Sequence, residues 1–434
     1  MLFTLAAVAA LAARPDPALS PLDAARGFKL LSGPDATTQW RGYKQPSFPG
    51  AGWSAKDGVL AHTAGGGGGD IITADQFGDF EFAFQFRTAP KANSGVIYGV
   101  AEKHDTAWQT GPEFQVIDDA GQNLTPDDPH STGAMYDLYT PGPGKTLKPA
   151  GEWNAGRIYY RNGVMQHWVN GVKVVDARLF DAPGLHTKDW QARILGSKFK
   201  DYEGFGHQAR GHIALQDHGD EVAYRNVRVR DLAAVAHGEI SLLAPANAGH
   251  GKDIAGWEYV TPDLSAKGEH PGGPWSVKDG VLVCSGSPNG YIRTKGSYDN
   301  FVLKLEWRWP SGKPAGNSGV LVRMAAEDKV WPKSFEAQLH SGNAGDMIGI
   351  GDFPYTGDPA RSSGRRTTKS HGAERPVGEW NEYEIIMNGG EVILFVNGEE
   401  LNRATGVHAT AGPIALQSEG AEIHFRNIRL TPLK

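Results

Sequence analysis

Two segments of the chain set a carboxylate and an amide two residues apart. The first is Pro112-Glu113-Phe114-Gln115-Val116-Ile117-Asp118, and the second is Phe335-Glu336-Ala337-Gln338-Leu339-His340. Side chains of an extended chain alternate between faces, so Glu113 and Gln115 share one face while Phe114 and Val116 take the other. A carboxylate can take or deliver a proton while a neighbouring amide holds a hydroxyl, which is acid–base chemistry on a polar substrate. A solvated outer face would give the same pattern, but its recurrence favours a cleft. The next polar position differs, Asp118 in the first segment standing against His340 in the second. Glu113, Gln115, Asp118, Glu336, Gln338 and His340 are therefore the catalytic candidates of these strands.

Other candidates gather around them. His218, in Gln216-Asp217-His218-Gly219, carries an imidazole, a group type that can serve as acid or base near neutral pH; Glu419 stands in its place further along. Asn93 and Asn317 open two Asn-Ser-Gly-Val segments and read either as turn asparagines with positive φ or as substrate contacts. Arg323 follows the second of these segments where Gly99 follows the first, and could hold an anionic oxygen or a surface partner. Tyr136 follows a polar loop with Asp127, Asp128 and His130, and an aromatic ring there can stack on a sugar. That loop could equally hold a divalent cation such as calcium, although its spacing is not that of an EF-hand. Asp352 lies in the Gly-rich segment that replaces this loop later in the chain, and Lys198 in a segment with no later counterpart. These are the substrate-binding candidates, and no metal ligand set is assigned.

The elements that must position these residues occur twice. Trp53-Ser54-Ala55-Lys56-Asp57-Gly58-Val59-Leu60 returns as Trp275-Ser276-Val277-Lys278-Asp279-Gly280-Val281-Leu282, 222 residues later. Gly151-Glu152-Trp153-Asn154 returns at Gly378, Val169-Asn170-Gly171 at Val396, and Ile213-Ala214-Leu215-Gln216 at Ile414. Ordered matches over both halves mean a tandem repeat. The spacing shrinks late in the second copy, so the first carries an insertion of about 26 residues, roughly Asp176 to Gln208, with Trp190, Lys198, Tyr202 and Phe205. Loops of that kind often rim binding sites. The boundaries follow: 1–26 as a possible signal peptide and N-terminal segment, 27–232 as the first domain and 239–434 as the second.

Composition agrees with two β-rich domains. The 434 residues include 57 Gly, 27 Pro and 12 Trp, with alternating runs such as Phe80-Glu81-Phe82-Ala83-Phe84-Gln85-Phe86 and Asn-Gly hairpins at 170–171 and 397–398. Short antiparallel strands without helical stretches predict sandwiches. The Arg225-Asn226 and Arg426-Asn427 pairs read as sheet-edge pairing residues. A formal charge of −6 with no basic stripe excludes nucleic acid as the expected partner, and one cysteine, Cys284 in an apolar strand, excludes a disulfide framework. The opening MLFTLAAVAALAA is an apolar stretch of signal-peptide length, too short for a membrane span, and predicts a periplasmic or secreted protein.

Taken in order, the Trp-x-x-Lys-Asp-Gly-Val-Leu opening, Asn-Ser-Gly-Val, the Glu-x-Gln strand, Gly-Glu-Trp-Asn, the Asn-Gly hairpin and the closing Ile-x-Leu-Gln…Arg-Asn resemble the 3-keto-disaccharide hydrolase domain family, once per copy. The family has Arg where Gly99 stands, a departure of copy one. The resemblance implies two tandem concanavalin A-like jelly-roll β-sandwiches, all-β, acting on sugars whose C3 hydroxyl a partner 3-dehydrogenase has oxidised. A C3 ketone acidifies the C2 proton, so a base can start an elimination that expels the C1 substituent, after which water adds back. Such a route needs a base, a stabiliser of the enolate oxygen, and an acid for the leaving group; a divalent cation could be the stabiliser. The alternatives are a lectin-like binding protein, or one catalytic and one binding domain, since fold does not fix function.

Overall fold

A computed structural model describes residues 18–207, 210–234, 238–243, 256–261, 273–325, 327 and 329–433. The chain divides into two compact units, Met1–Val235 and Ala236–Lys434. Residues 1–17, which hold the apolar stretch read as an export signal, lie outside the described residues, and Pro21–Arg26 form a short helix capped by Ser20.

The first unit contains β1 (Lys29–Leu30), β2 (Trp40–Gly42), β3 (Trp53–Lys56), β4 (Val59–His62), β5 (Ile71–Thr73), β6 (Phe80–Thr88), β7 (Asn93–Val100) and β8 (Glu113–Ile117). After a long polar loop come β9 (Asn154–Arg161), β10 (Val164–Val169), β11 (Val172–Arg178), β12 (Phe180–Ala182), β13 (Leu185–His186), β14 (His212–Leu215) and β15 (Val222–Asp231). One sheet runs β11-β10-β9-β6-β15-β4-β3, with β1 on β15, and the other β2-β5-β14-β7-β8. The two sheets meet through aromatic rings, Phe84 of β6 lying edge-on to Phe114 of β8 at 5.3 Å between centroids. The second unit repeats this with its own core, and its second sheet is longer, adding strands Met347–Ile350, Ser362–Ser363 and Arg366–Thr367 where the first unit has the polar loop. Each unit is an antiparallel two-sheet sandwich, as the alternating strands predict, and a concanavalin A-like jelly roll, as the family resemblance implies.

Period-two alternation settles which side chains face the core of the first unit. Val96 and Tyr98 of β7, Phe114 and Val116 of β8 and Ile213 and Leu215 of β14 enter the core between the sheets. Ile72, Ile97 and Ala214 lie instead in a small apolar cluster with Ala107, against which Trp108 packs. Asn93, Glu113, Gln115 and Gln216 have the parity of that second face. The five-stranded sheet is therefore apolar toward the core, and its opposite side carries both this small apolar cluster and the polar candidates.

Three expectations need correction. The insertion starts later than Asp176, because β11 continues to Arg178, and Gln208 falls outside the described residues. It also holds helix, in a chain read as having no helical stretches: Lys188–Leu195, whose Thr187 hydroxyl accepts from Trp190 N, and a 3₁₀ turn Lys198–Asp201 capped by Ser197. Capping oxygens ahead of short apolar segments allow such helices where packing supports them. Thirdly, Arg225 and Asn226 are not at a sheet edge. They form a bulge in β15, between β6 and β4, with Asn226 at φ 51° and both side chains donating to Gln85 Oε1. Arg426 and Asn427 do the same with Glu306.

The insertion is fastened by buried rings. Trp190 is fully buried, Phe199 and Phe205 stack with centroids 4.1 Å apart, and the Arg193 guanidinium lies 3.9 Å over Tyr139 while donating to Leu138 O. Trp190→Ala should therefore cost about 3 kcal/mol of stability, read as a fall in the unfolding midpoint. Leu195→Ala, on the exposed side of the same helix, should leave that midpoint unchanged.

Candidate active site

Strands β7 and β8 pair so that Gly95 lies opposite Gln115 and Ile97 opposite Glu113. The carboxylate of Glu113 leans across β7 onto Gly95, where a Cβ would come within 2.0 Å of its Oε1. The Asn-Ser-Gly segment is thus a strand with three tasks. Ser94 points into the core and bonds Gln216 O and the Tyr224 hydroxyl, Gly95 makes room for the carboxylate, and Asn93 faces the pocket. Neither Asn93 nor Asn317 has positive φ, so the turn reading of both is wrong.

Above these strands lies a cavity of about 250 Å³ lined by Asn93, Trp108, Glu113, Gln115, Tyr136, Lys198, Phe199, Gln216 and His218. Tyr136 is held by its backbone N–H donating to Glu113 O. Lys198 reaches in from the insertion, its ammonium 4.5 Å over the Tyr136 ring and 5.1 Å over Trp108. Such faces attract a cation without neutralising it, and no carboxylate among the described residues pairs with this one. Glu113 is only 7% exposed; burial pushes its carboxyl up to about 8, opposed by the Lys198 charge and reinforced by Asp70. Asp70, raised to about 6 by burial, lies near His218 and accepts from Asp217 N. The Oδ1 of Asn93 and Oε1 of Gln115 are buried without partners among the described residues. Buried acceptors left open in a pocket are suited to the hydroxyl donors of a sugar.

The second unit builds the same pocket with other rims. Its cavity, about 200 Å³, is lined by Asn317, Trp331, Glu336, Gln338, Ile348, Ile350, Arg365, Gln417 and Glu419. A Cβ on Gly319 would meet Glu336 Oε1 at 2.4 Å, and Glu336 is likewise pushed up to about 8, by burial and by the Glu419 charge. Arg365 supplies the cation from an exposed hairpin rather than from an insertion.

Glu113, Gln115, His218, Asn93, Tyr136 and Lys198 thus meet in one pocket, and Glu336, Gln338 and Asn317 in the other. Four candidates do not. Asp118 lies past the end of β8, where its carboxylate accepts from Lys91 N. The pairing of Gly95 with Gln115 and of Gly319 with Gln338 aligns Ile117, not Asp118, with His340, which is exposed and bonded to Ser341 O. Arg323 is 1% exposed and spends its guanidinium on Val407 O, His408 O and Asn300 Oδ1, away from Glu336. It has φ 50°, as Gly99 has φ 66°, so the position is a backbone kink. Asp352, at φ 56°, is an exposed turn residue.

Trp108, Gln216, Phe199, Trp331, Arg365, Gln417 and Glu419 line the pockets without having been predicted to do so. The shared Ile-Ala-Leu-Gln segment and the Trp108/Trp331 pair were the available signals. Asp119 binds Lys145, Asp128 accepts from His130, and no group of three His, Cys, Asp or Glu side chains arranged for a metal ion exists among the described residues.

The model of the 3-keto-alpha-glucoside-1,2-lyase-like domain matches residues 27–230 and again 245–431. A 3-keto-disaccharide hydrolase of Bacteroides thetaiotaomicron is 29% identical over 251 residues, 51% of this chain and 83% of that protein. Similar solved structures include a provisionally named glycosyl hydrolase of Parabacteroides distasonis ATCC 8503, 29% identical with a TM-score of 0.43, covering 50% of this chain and 99% of that one. A Bacillus licheniformis β-glucanase is 14% identical, with a TM-score of 0.29, covering 45% and 98%. With both matched segments spanning the units that carry the two pockets, the chain is a carbohydrate-active member of the 3-keto-alpha-glucoside-1,2-lyase-like family, holding two copies of its domain.

Proposed function

We propose that the first unit cleaves the glycosidic bond of 3-keto-glycosides by elimination followed by hydration. The observation that carries this reading is the carboxyl of Glu113, buried on Gly95 and raised to about 8 beside an ammonium that no carboxylate pairs with among the described residues. A carboxylate of that basicity is a far stronger proton acceptor than an ordinary one, which suits removal of a C2 proton made acidic by a neighbouring ketone. As the C2–H bond breaks, charge develops on the C3 oxygen, and Lys198 supplies the stabilising cation. The C1–O bond then breaks, its electron pair leaving with the aglycone oxygen, which takes a proton from His218. The product is an enone with a C1–C2 double bond. Water adds at C1 and a proton returns to C2, so the net reaction is hydrolysis. Trp108, Tyr136 and Phe199 offer faces for the sugar ring, while Asn93, Gln115 and Gln216 offer hydrogen bonds to its hydroxyls. The substrate requires prior oxidation at C3, so a sugar 3-dehydrogenase is the proposed functional partner.

Incubated with a 3-keto-glucoside, the protein should release the aglycone, while the parent glucoside survives. Keto-sugar bound but left uncleaved, with EDTA and with added divalent cations, would give the lectin-like alternative the pocket instead. Glu113→Gln should lower the first pocket's own turnover on the order of 10²-fold or more. Its stability should move the other way. The carboxyl ionises near 4.5 when unfolded and near 8 when folded, so ionisation opposes folding increasingly as pH rises between these values. Glutamine cannot ionise, and the variant should gain midpoint temperature relative to wild type across that window, with no gain below pH 4. A difference in midpoint between variant and wild type that is the same at pH 5 and pH 8 would mean that Glu113 is solvated.

A further inference from the structure

The second pocket keeps the residues that hold a sugar and changes the one that would move the second proton. Asn317, Glu336, Gln338 and Gln417 stand where Asn93, Glu113, Gln115 and Gln216 stand, and Trp331 matches Trp108. Glu419 takes the place of His218, and its side chain is hydrogen-bonded to Asn317. Two carboxyl groups therefore face one cavity of about 200 Å³, beside the Arg365 guanidinium. The buried Oδ1 of Asn317 and Oε1 of Gln417 have no partners among the described residues, so acceptors for sugar hydroxyls remain open.

Resting on the reading of the first pocket, we propose that the second pocket is a catalytic site in its own right for 3-keto-glycosides, with Glu336 and Glu419 as its acid–base pair. Two carboxyls lining one partly dry cavity repel when both are charged, so ionisation of one disfavours ionisation of the other. Burial and the Glu419 charge raise Glu336, and burial raises Glu419. One group is thus available as acid and the other as base, the division of labour that paired carboxyls make in other sugar-cleaving sites. In the reacting arrangement Glu336 takes the C2 proton, and the carboxyl proton of Glu419 goes to the departing oxygen as the C1–O bond breaks. Glu419 then takes a proton from the water that attacks C1, and Glu336 returns its own to C2. Arg365 faces the charge that develops on the C3 oxygen. Each step balances with water as the sole co-reactant.

The test uses the full chain with the first pocket silenced by Glu113→Gln, assayed on a panel of α- and β-linked 3-keto-glucosides, with folding of each variant checked by its unfolding midpoint. Residual turnover should remain. Adding Glu336→Gln or Glu419→Gln should lower that residue on the order of 10²-fold, while adding Glu419→His, which restores the first pocket's arrangement, should keep it within about tenfold. Residual turnover that neither glutamine changes, or none in the Glu113→Gln chain, overturns the second site and leaves the first pocket's function standing. A wild-type chain inert on the whole panel overturns both.

Discussion

Glu113 rests on Gly95, and Glu336 on Gly319, with no Cβ between carboxylate and strand. That contact places an ionisable group on the floor of a sheet rather than at its rim. The floor removes water from the carboxyl, and the loss of water raises its basicity. The rest of each pocket follows from this arrangement. Ser94 and Ser318 turn into the core and bond Gln216 O and Gln417 O, holding the flanking strand in register. Asn93 and Asn317 face outward one residue earlier, and the amides that end Ile-Ala-Leu-Gln arrive from the next strand.

Around a shared floor the walls are unrelated. The first unit brings its cation from an inserted helix and 3₁₀ turn, locked by Trp190, Phe199 and Phe205; the second brings it from the tip of a hairpin. Tyr136 and Ile348 occupy matching positions beside the glutamate strand, each in backbone register with the glutamate, and present different surfaces to a sugar. A sheet fixes positions to within a pleat, whereas a loop places a charge only as well as its own packing allows.

The sequence made the floor legible because alternation is strict. Glu113 and Gln115 had to share a face, and the repeat made a chance pairing implausible. It was less informative wherever backbone departs from period two. Asp118 and His340 were aligned with each other by counting polar residues, but each lies past the end of its own strand and turns to its own loop. Arg323 was read as a surface or substrate arginine; its left-handed backbone turns it inward to serve loop carbonyls. Gln216 was visible only as part of a repeated motif, because nothing local separates a pocket amide from one exposed at a strand end. Trp108 sits in a 3₁₀ turn that no periodicity announces.

The insertion enters after β11 and leaves before β14, so neither β7 nor β8 is part of it. It carries its own caps and its own aromatic plug. The position of the charge in the pocket is therefore set by a different segment from the one that carries the buried carboxyl. Replacement of this one segment can reshape the wall of the pocket while β7 and β8 stay constant. A tandem chain holds two such walls on one design of floor, so a lineage can alter one wall without risking the other.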